Sequence, residues 1–486
     1  MNEYDVVVIG GGAAGLAAAI AAKKAGARVL LIEREQRLGG ILKQCIHDGF
    51  GLIHFGEKLS GPEYVERFIA AFNLLGIDAL THTFVINISA GGAQTSSHVG
   101  VQKKITYVNS GGVASILTKA LVLATGCRER TARQVFIHGT RPSGIFTAGT
   151  AQHFINLLGE LPAKRCVILG SGDIGLIMAR RLTLEGAQVL GVYEAKSEPS
   201  GLTRNIVQCL EDFSIPLYLS HTVTRVFGDE RLRAVEVCRV DEKMKPIKGT
   251  EKIIDCDALI LSVGLIPENE IAESLGVALD ARTKGPACDS HFMTSVPGVF
   301  SCGNALHVND LVDYVTESGN ASGNAAALWA RSFCADTVPA ASPLPEYVPL
   351  KADASLLYMV PQFLERKNCA NPLRLYFRTS VPRKKTRLVF KSGGRELFSK
   401  QYANVKPPEM VRLEIDVSRL HLDMCDIIEV SLENVVDVVA CEASVRRTQH
   451  DDVHGATDEA DASSGAQSVR ECGANGAVPK AHTEAV

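Results

Sequence analysis

Two copies of one strand–turn–helix–strand pattern, followed by a run of short alternating strands, predict an α/β protein. It would hold two Rossmann-like dinucleotide-binding domains, a small C-terminal all-β domain and a disordered tail. The first copy is Asp5-Val-Val-Val-Ile-Gly10-Gly-Gly12-Ala13-Ala14-Gly15, followed by an Ala-rich helix and a strand ending at Glu33. The second is Cys166-Val-Ile-Leu-Gly170-Ser-Gly172-Asp173-Ile174-Gly175, again followed by a helix and a strand, which ends at Glu194. In each, an apolar strand runs into G-x-G-x-x-G, a helix opens, and an acidic residue follows roughly 20 residues on, the context in which this pattern binds a dinucleotide. A single G-x-G-x-x-G is weak; two copies in full context imply two dinucleotides on one chain.

Each glycine has a physical task. Gly10 and Gly170 allow the tight turn out of the strand, Gly12 and Gly172 let backbone approach a pyrophosphate, and Gly15 and Gly175 let helix pack on strand. The helix N-terminus offers free N–H groups and a partial positive charge to phosphates. Glu33 and Glu194 would accept hydrogen bonds from ribose hydroxyls. An acid at Glu194 disfavours a 2′-phosphate, which points to NAD(H) rather than NADP(H). The chemistry that needs two dinucleotides is electron transfer between a nicotinamide and a flavin, so FAD and NAD(H) are the expected cofactors.

Length and composition bound the rest. A chain of 486 residues accommodates about three domains. Its 46% hydrophobic share and net charge of -3 describe an ordinary globular protein with no nucleic-acid surface. No apolar run reaches the length of a membrane span, and Met1-Asn-Glu-Tyr-Asp runs straight into the first strand. A cytoplasmic location is therefore expected. The 13 cysteines are odd in number and scattered, and no C-x-x-C occurs. That argues for reduced thiols, against a cluster or metal site, and against the adjacent dithiol of a disulfide reductase.

Along the chain, Gly61-Pro62-Glu63 opens a helix that ends near Gly76, and strands and turns fill Ile77 to Val113. Ala120-Leu-Val-Leu-Ala124-Thr125-Gly126 and Ala258-Leu-Ile-Leu-Ser-Val-Gly264 read as buried strands ending in glycine. Thr294 to Asn304 reads as turn, strand and Gly303-Asn304, with an Ala-rich helix after it. From Leu344 the pattern alternates apolar and polar, with a hairpin turn at Lys391-Ser-Gly-Gly-Arg, giving an all-β domain over about 345–442. From about 446 the chain lacks large apolar residues, so 446–486 is read as a disordered tail.

These motifs resemble the flavoprotein superfamily of thioredoxin reductase and other two-dinucleotide-binding reductases. The resemblance implies an FAD domain split around an NAD domain: residues 1–126 and 265–335 for FAD, 127–264 for NAD. It implies that the first fingerprint, with Glu33, Arg34 and Gly40, holds FAD. Ala124, Thr125 and Gly126 would form one hinge and Gly264 the return hinge. Gly303-Asn304 stands where that family has Gly-Asp, so Asn304 replaces the acid that meets the ribityl and pyrophosphate region. Asp313 follows in a helix whose N-terminus the family lays toward the flavin pyrimidine ring, with His307 and Asp310 nearby. In a narrower sense, Gly39-Gly40-Ile-Leu-Lys-Gln-Cys45-Ile-His47 and Cys302-Gly-Asn-Ala-Leu-His307 are similar to FAD/NAD subunits of opine dehydrogenases and hydrogen cyanide synthase. Members of that subgroup often act beside a second flavoprotein.

Cys45 has two readings: a flavin-proximal redox thiol, the catalytic candidate, or a buried structural cysteine. His47 is either an acid/base group or a packing residue. Cys127, flanked by Arg128 and Arg130, reads either as a thiol of depressed pKa or as part of a solvated connection. The expected function is hydride exchange between NAD(H) and FAD, with electrons passed to a partner subunit or small acceptor and with hetero- or homo-oligomers allowed. Direct dehydrogenation of a small amine or hydroxy acid, and a nucleotide-binding subunit without turnover, are the alternatives. The C-terminal β domain is expected to dock a partner or a second copy, with a stabilising appendage as the other reading.

Overall fold

The computed structural model describes residues 2–91, 102–332, 346–370 and 372–435. The expected disordered tail, 446–486, lies outside these, as do Cys334, Cys441 and Cys472. The described residues form one compact unit.

In chain order the elements that build the site begin with β1 (Glu3–Ile9), α1 (Ala13–Lys24), β2 (Val29–Ile32) and α2 (Gly61–Leu74). Next come β3 (Asp78–Leu80), β4 (Phe84–Gly91), β5 (Gln102–Asn109), β6 (Gly112–Leu123) and β7 (Cys127–Glu129). The second unit supplies β8 (Ile145–Thr147), α3 (Ala148–His153), β9 (Arg165–Leu169), α4 (Asp173–Leu184), β10 (Gln188–Glu194), β11 (Leu217–Leu219) and β12 (Ala258–Leu261). Then follow β13 (Leu265–Pro267), β14 (Val299–Ser301) and the long helix α5 (Val312–Ser332).

The first sheet has the order β3-β2-β1-β6-β5-β4, with β14 paired beside β6. Parallel register places Ile9 opposite both Ile32 and Leu123. Residues from both sides of the second unit therefore share this sheet: Val299–Ser301 lies against Leu121–Leu123. The second sheet, β8-β12-β9-β10-β11, is parallel throughout, and Leu169 sits opposite both Tyr193 and Leu261. In each sheet the fingerprint glycine follows the carboxyl end of the central strand, where open α/β sheets bind ligands. A smaller four-stranded sheet, which includes His221–Gly228 and Leu232–Arg239, flanks the second unit.

Helix α1 is buried along most of its length because its alanines let α5 approach closely. Gly319 and Gly323 of α5 make that possible: a Cβ on either would lie 2.3 Å or 2.1 Å from a carbonyl of α1. The two short strands β7 and β13 pair antiparallel, Cys127 with Pro267 and Glu129 with Leu265. They are the two crossings between the nucleotide-binding units, with Gly126 at one end of the ladder beside Glu268 and Gly264 at the other end beside Arg130.

Between Tyr347 and Asn434 the strands form a five-stranded and a three-stranded sheet, with two short 3-10 turns at Val417–Leu420 and Leu422–Met424. The turn at Gly393-Gly394 joins Arg383–Ser392 to Arg395–Val405 as its sequence indicates. Strands over 347–352, 356–360, 363–365 and 395–405 join those that the alternation marks. Leu375, Phe377, Leu388 and Phe390 fill its interior. A second apolar cluster is shared with the nucleotide-binding part: Phe292 and Leu306 pack with Tyr358, Val360, Tyr376 and Met410. One face of the β region is thus already used by this chain's own core.

Candidate active site

The two fingerprint helices differ from their neighbours in how they begin. Ser60 and Glu63 close the N-terminus of α2 with a reciprocal capping box, and Thr147 caps α3. Helices α1 and α4 start after Gly12 and Gly172, with no side-chain cap on either. Their first-turn N–H groups are left for another acceptor, and the helix dipole favours an anionic one.

The glycines separate by role. A Cβ on Gly10 would lie 2.2 Å from the Ala124 carbonyl oxygen, and one on Gly170 2.0 Å from that of Ser262. Gly15 and Gly175 are equally tight, at 1.8 Å and 2.5 Å from the carbonyl oxygens of Gly10 and Gly170. The fold itself requires these four. At the middle positions no protein atom objects: a Cβ on Gly12 would meet nothing closer than Gly40 Cα at 3.9 Å, and one on Gly172 nothing closer than Ser262 Oγ at 3.8 Å. Space that the protein leaves free beside uncapped N–H groups fits a pyrophosphate at both places.

Both acids are buried and brace their own turns. Glu33 accepts from the Gly11 N–H at 2.6 Å and the Glu35 N–H at 2.8 Å. Glu194 accepts from the Ser171 N–H and hydroxyl, at 3.0 and 2.6 Å, and from the Lys196 N–H at 3.1 Å.

The two cradles open onto one continuous cleft of about 2470 Å³. Gly10, Gly12, Ala13, Ala14, Glu33, Arg34 and Gly40 line it from the first unit; Gly170, Gly172, Asp173, Ile174 and Glu194 line it from the second. Ala124, Thr125, Gly126 and Gly264 line it at the crossing strands. There Arg34 pairs with Glu268 at 3.1 Å, and the Thr125 hydroxyl donates to the Glu268 carbonyl at 2.6 Å. Asn304 also lines the cleft, accepting from the Asn309 backbone N–H at 3.0 Å and donating to Cys127 Sγ at 3.5 Å.

Some expectations change. Gly15 and Gly175 are packing glycines behind the cleft wall, and Gly303 packs against Ala14, where a Cβ would come within 2.7 Å. Asp313 does not face the cleft. In the first turn of α5, Val312 and Val315 line the cleft, and Asp313 and Thr316 fall on another face. There Asp313 accepts from the His54 N–H at 2.9 Å, and Thr316 meets the Tyr64 hydroxyl at 2.7 Å. Cys127 is not a low-pKa thiol: burial pushes it up to about 11, and Arg128 instead pairs with Glu270 at 2.6 Å. Cys45 lines the cleft, but burial pushes its thiol up to about 12, so it stays protonated. It donates to the Ile41 carbonyl at 3.3 Å. Every cysteine among the described residues is unpaired.

His307 is buried beneath the β region, between the rings of Tyr358 and Tyr376. Asp310 lines the cleft but is held from that region by the Arg378 guanidinium and by the Met410 N–H at 2.6 Å. Nothing in the spacing of Arg378 or Arg412 signals that the β region grips the segment leading into α5. Gln152 and Asn156 carry no motif either, yet they hold Gln44 of the Gly39–His47 stretch and so join the two units.

The chain belongs to the pyridine nucleotide-disulphide oxidoreductase family, which matches residues 4–323. It is therefore an oxidoreductase of a family whose cofactors are FAD and a nicotinamide dinucleotide. One of the subunits of the Agrobacterium tumefaciens opine oxidase is 25% identical over 321 residues, 63% of this chain and 62% of that protein. Hydrogen cyanide synthase subunit HcnB of Pseudomonas protegens is 26% identical over 291 residues, 57% of this chain and 59% of that one. The match therefore spans about three fifths of each relative's length. Among solved structures, T. acidophilum thioredoxin reductase superposes with a TM-score of 0.54 at 23% identity, over 69% of this chain and all of that one, a likeness of fold. No helix among the described residues is long and apolar enough to cross a membrane.

Proposed function

We propose that this protein exchanges a hydride between NAD(H) and FAD and passes the flavin's electrons to a partner subunit or a small acceptor. The observation that carries this reading is the single cleft onto which two uncapped fingerprint helices open, each beside a glycine whose missing side chain only a ligand needs. FAD, when bound, supplies a two-electron acceptor for a hydride. The protein's own contribution is to hold both dinucleotides and keep their reacting ends together. In this reading the first unit binds FAD through Gly12, Ala13, Ala14 and Glu33, and the second binds NAD(H) through Gly172, Asp173, Ile174 and Glu194. Glu194, fixed against the Ser171 turn, favours a free ribose 2′-hydroxyl over a 2′-phosphate.

The protein is proposed not to work as a dithiol reductase. It has no C-x-x-C, and the four cysteines that line the cleft, Cys45, Cys127, Cys209 and Cys302, all have thiols raised by burial. The relatives named as subunits of opine oxidase and hydrogen cyanide synthase support an electron partner that is itself a protein. Anaerobic stopped-flow mixing tests the reading: NADH should bleach the flavin absorbance faster than NADPH at equal concentration. Faster bleaching by NADPH overturns the role of Glu194, and no bleaching by either overturns the reaction.

A further inference from the structure

At the carboxyl end of β10, a run of backbone hydrogen bonds leads from Glu194 to an outlying turn. The Lys196 N–H donates to Glu194 Oε1 at 3.1 Å, and the Lys196 carbonyl accepts from the Ser220 N–H at 2.9 Å. Ser220 follows Leu219, which stands opposite Glu194 in the register of β10 and β11. The Ser220 carbonyl in turn accepts from the Val240 N–H at 2.8 Å, and Val240 bridges to Pro246. The turn Asp241–Lys245 between those two residues therefore stands beside the end of the strand that carries Glu194.

This turn is closed on itself. The Asp241 N–H donates to the Lys245 carbonyl, and the Met244 N–H to the Asp241 carbonyl, each at 2.9 Å. The Asp241 carboxylate accepts from the Lys243 and Lys245 N–H groups at 2.9 and 2.8 Å. These bonds clasp Met244 from both sides and hold it at φ +59°. A left-handed backbone costs free energy at methionine, and glycine or asparagine would suit both the angle and the water better. Met244 is nevertheless the one apolar side chain in Asp241-Glu-Lys-Met-Lys. It is 57% exposed, and it lines the cleft together with Thr222, Lys196 and Glu194.

A dinucleotide seated at the Gly172 cradle, with a ribose on Glu194, carries one flat and weakly polar group past that acid: its adenine ring. We propose that Met244 packs its thioether on this adenine, so that the turn Asp241–Lys245 recognises the adenosine half of the nicotinamide dinucleotide. Sulfur is polarisable and packs well against an aromatic ring. The contact rests on the reading of the second cradle as the NAD(H) site, and adds to it a residue that lies outside the fingerprint.

The test uses the flavin-loaded full chain and divides the dinucleotide in two. ADP-ribose keeps the adenosine half and lacks the nicotinamide; reduced nicotinamide mononucleotide keeps the hydride donor and lacks the adenosine. Met244→Asn and Met244→Gly both suit the left-handed backbone, so each should melt with the parent. In calorimetry both should bind ADP-ribose about 10-fold more weakly, the scale for losing one apolar contact with a ring. The rate at which the reduced mononucleotide bleaches the flavin in stopped flow should stay at the parent value. Unchanged ADP-ribose affinity in both variants overturns the proposal. An equal loss with the mononucleotide also overturns it, because the turn would then shape the cleft rather than meet the base. If the parent protein, with normal flavin content, binds no ADP-ribose, the reading of the second nucleotide site fails instead.

Discussion

Gly10 and Gly12 stand two residues apart, and their substitutions should fail in different ways. Gly10 has φ of +104° and no room for a Cβ, so Gly10→Val is expected to cost about 4 kcal/mol or more and to prevent recovery of folded protein. At Gly12 the backbone is extended and the nearest atom is 3.9 Å away. Gly12→Val should strip the flavin and leave stability within about 1 kcal/mol of the flavin-free parent; absorbance per chain reads the first effect, and melting curves of the two flavin-free proteins read the second. Gly172→Val, by the same logic, should keep the flavin and abolish its reduction by NADH in stopped flow. A Gly172 variant reduced at the parent rate would remove the second fingerprint from the mechanism. Their positions in the fingerprint give the six glycines different tasks, and the distances around each put a measure on the difference: four have no room for a Cβ and two stand beside free space.

At the level of elements, the segment entering α5 is fixed from outside its own domain. Arg378 holds Asp310 and donates to the Tyr358 hydroxyl at 3.0 Å, while Arg412 and the Tyr376 hydroxyl hold Glu317. Arg378→Met strands Asp310 and should lower unfolding free energy by about 2 kcal/mol in a denaturant titration, with Arg378→Lys recovering part of it; the partial exposure of Asp310 keeps the figure below that of a fully buried pair. His307 sits under the same contacts. Burial, and then the nearby Arg378 charge, push it down to about 3. Its unfolded value is near 6.5, so between those limits the unfolded chain binds the extra proton. The stability this gives is present above about pH 6.5 and is lost as pH falls toward 3. The melting temperature should drop across that window, and His307→Phe should flatten the slope; an unchanged slope would show that another group controls it.

For the whole molecule, the β region is structurally continuous with the nucleotide-binding part. Phe292 and Leu306 are covered by Tyr358, Val360, Tyr376 and Met410, and removing the strands would expose them and leave Asp310 and Glu317 without their arginines. A chain ending at 342 is therefore expected to lose flavin and to aggregate in size-exclusion chromatography. A monodisperse, yellow, NADH-reducible truncation would show that the region is an appendage. These contacts favour the reading of the strands as a stabilising addition to the core over the reading as a docking module.

By itself the sequence determined the two nucleotide units, their cradles and the acids that close them, because each is a local pattern within about 30 residues whose parts must be neighbours in space. It also marked the hairpin at Gly393-Gly394 and the alternation around it. It assigned Asp313 to the cofactor because helix position is legible and helix rotation is not: α5 turns Val312 and Val315 to the cleft and Asp313 to His54. It left the thiols of Cys45 and Cys127 open because desolvation depends on everything packed around them. Gln152 meets Gln44 across 108 positions, and Arg378 grips Asp310 across 68. No spacing rule spans such distances, and only the packing of one part of the chain on another brings those groups together.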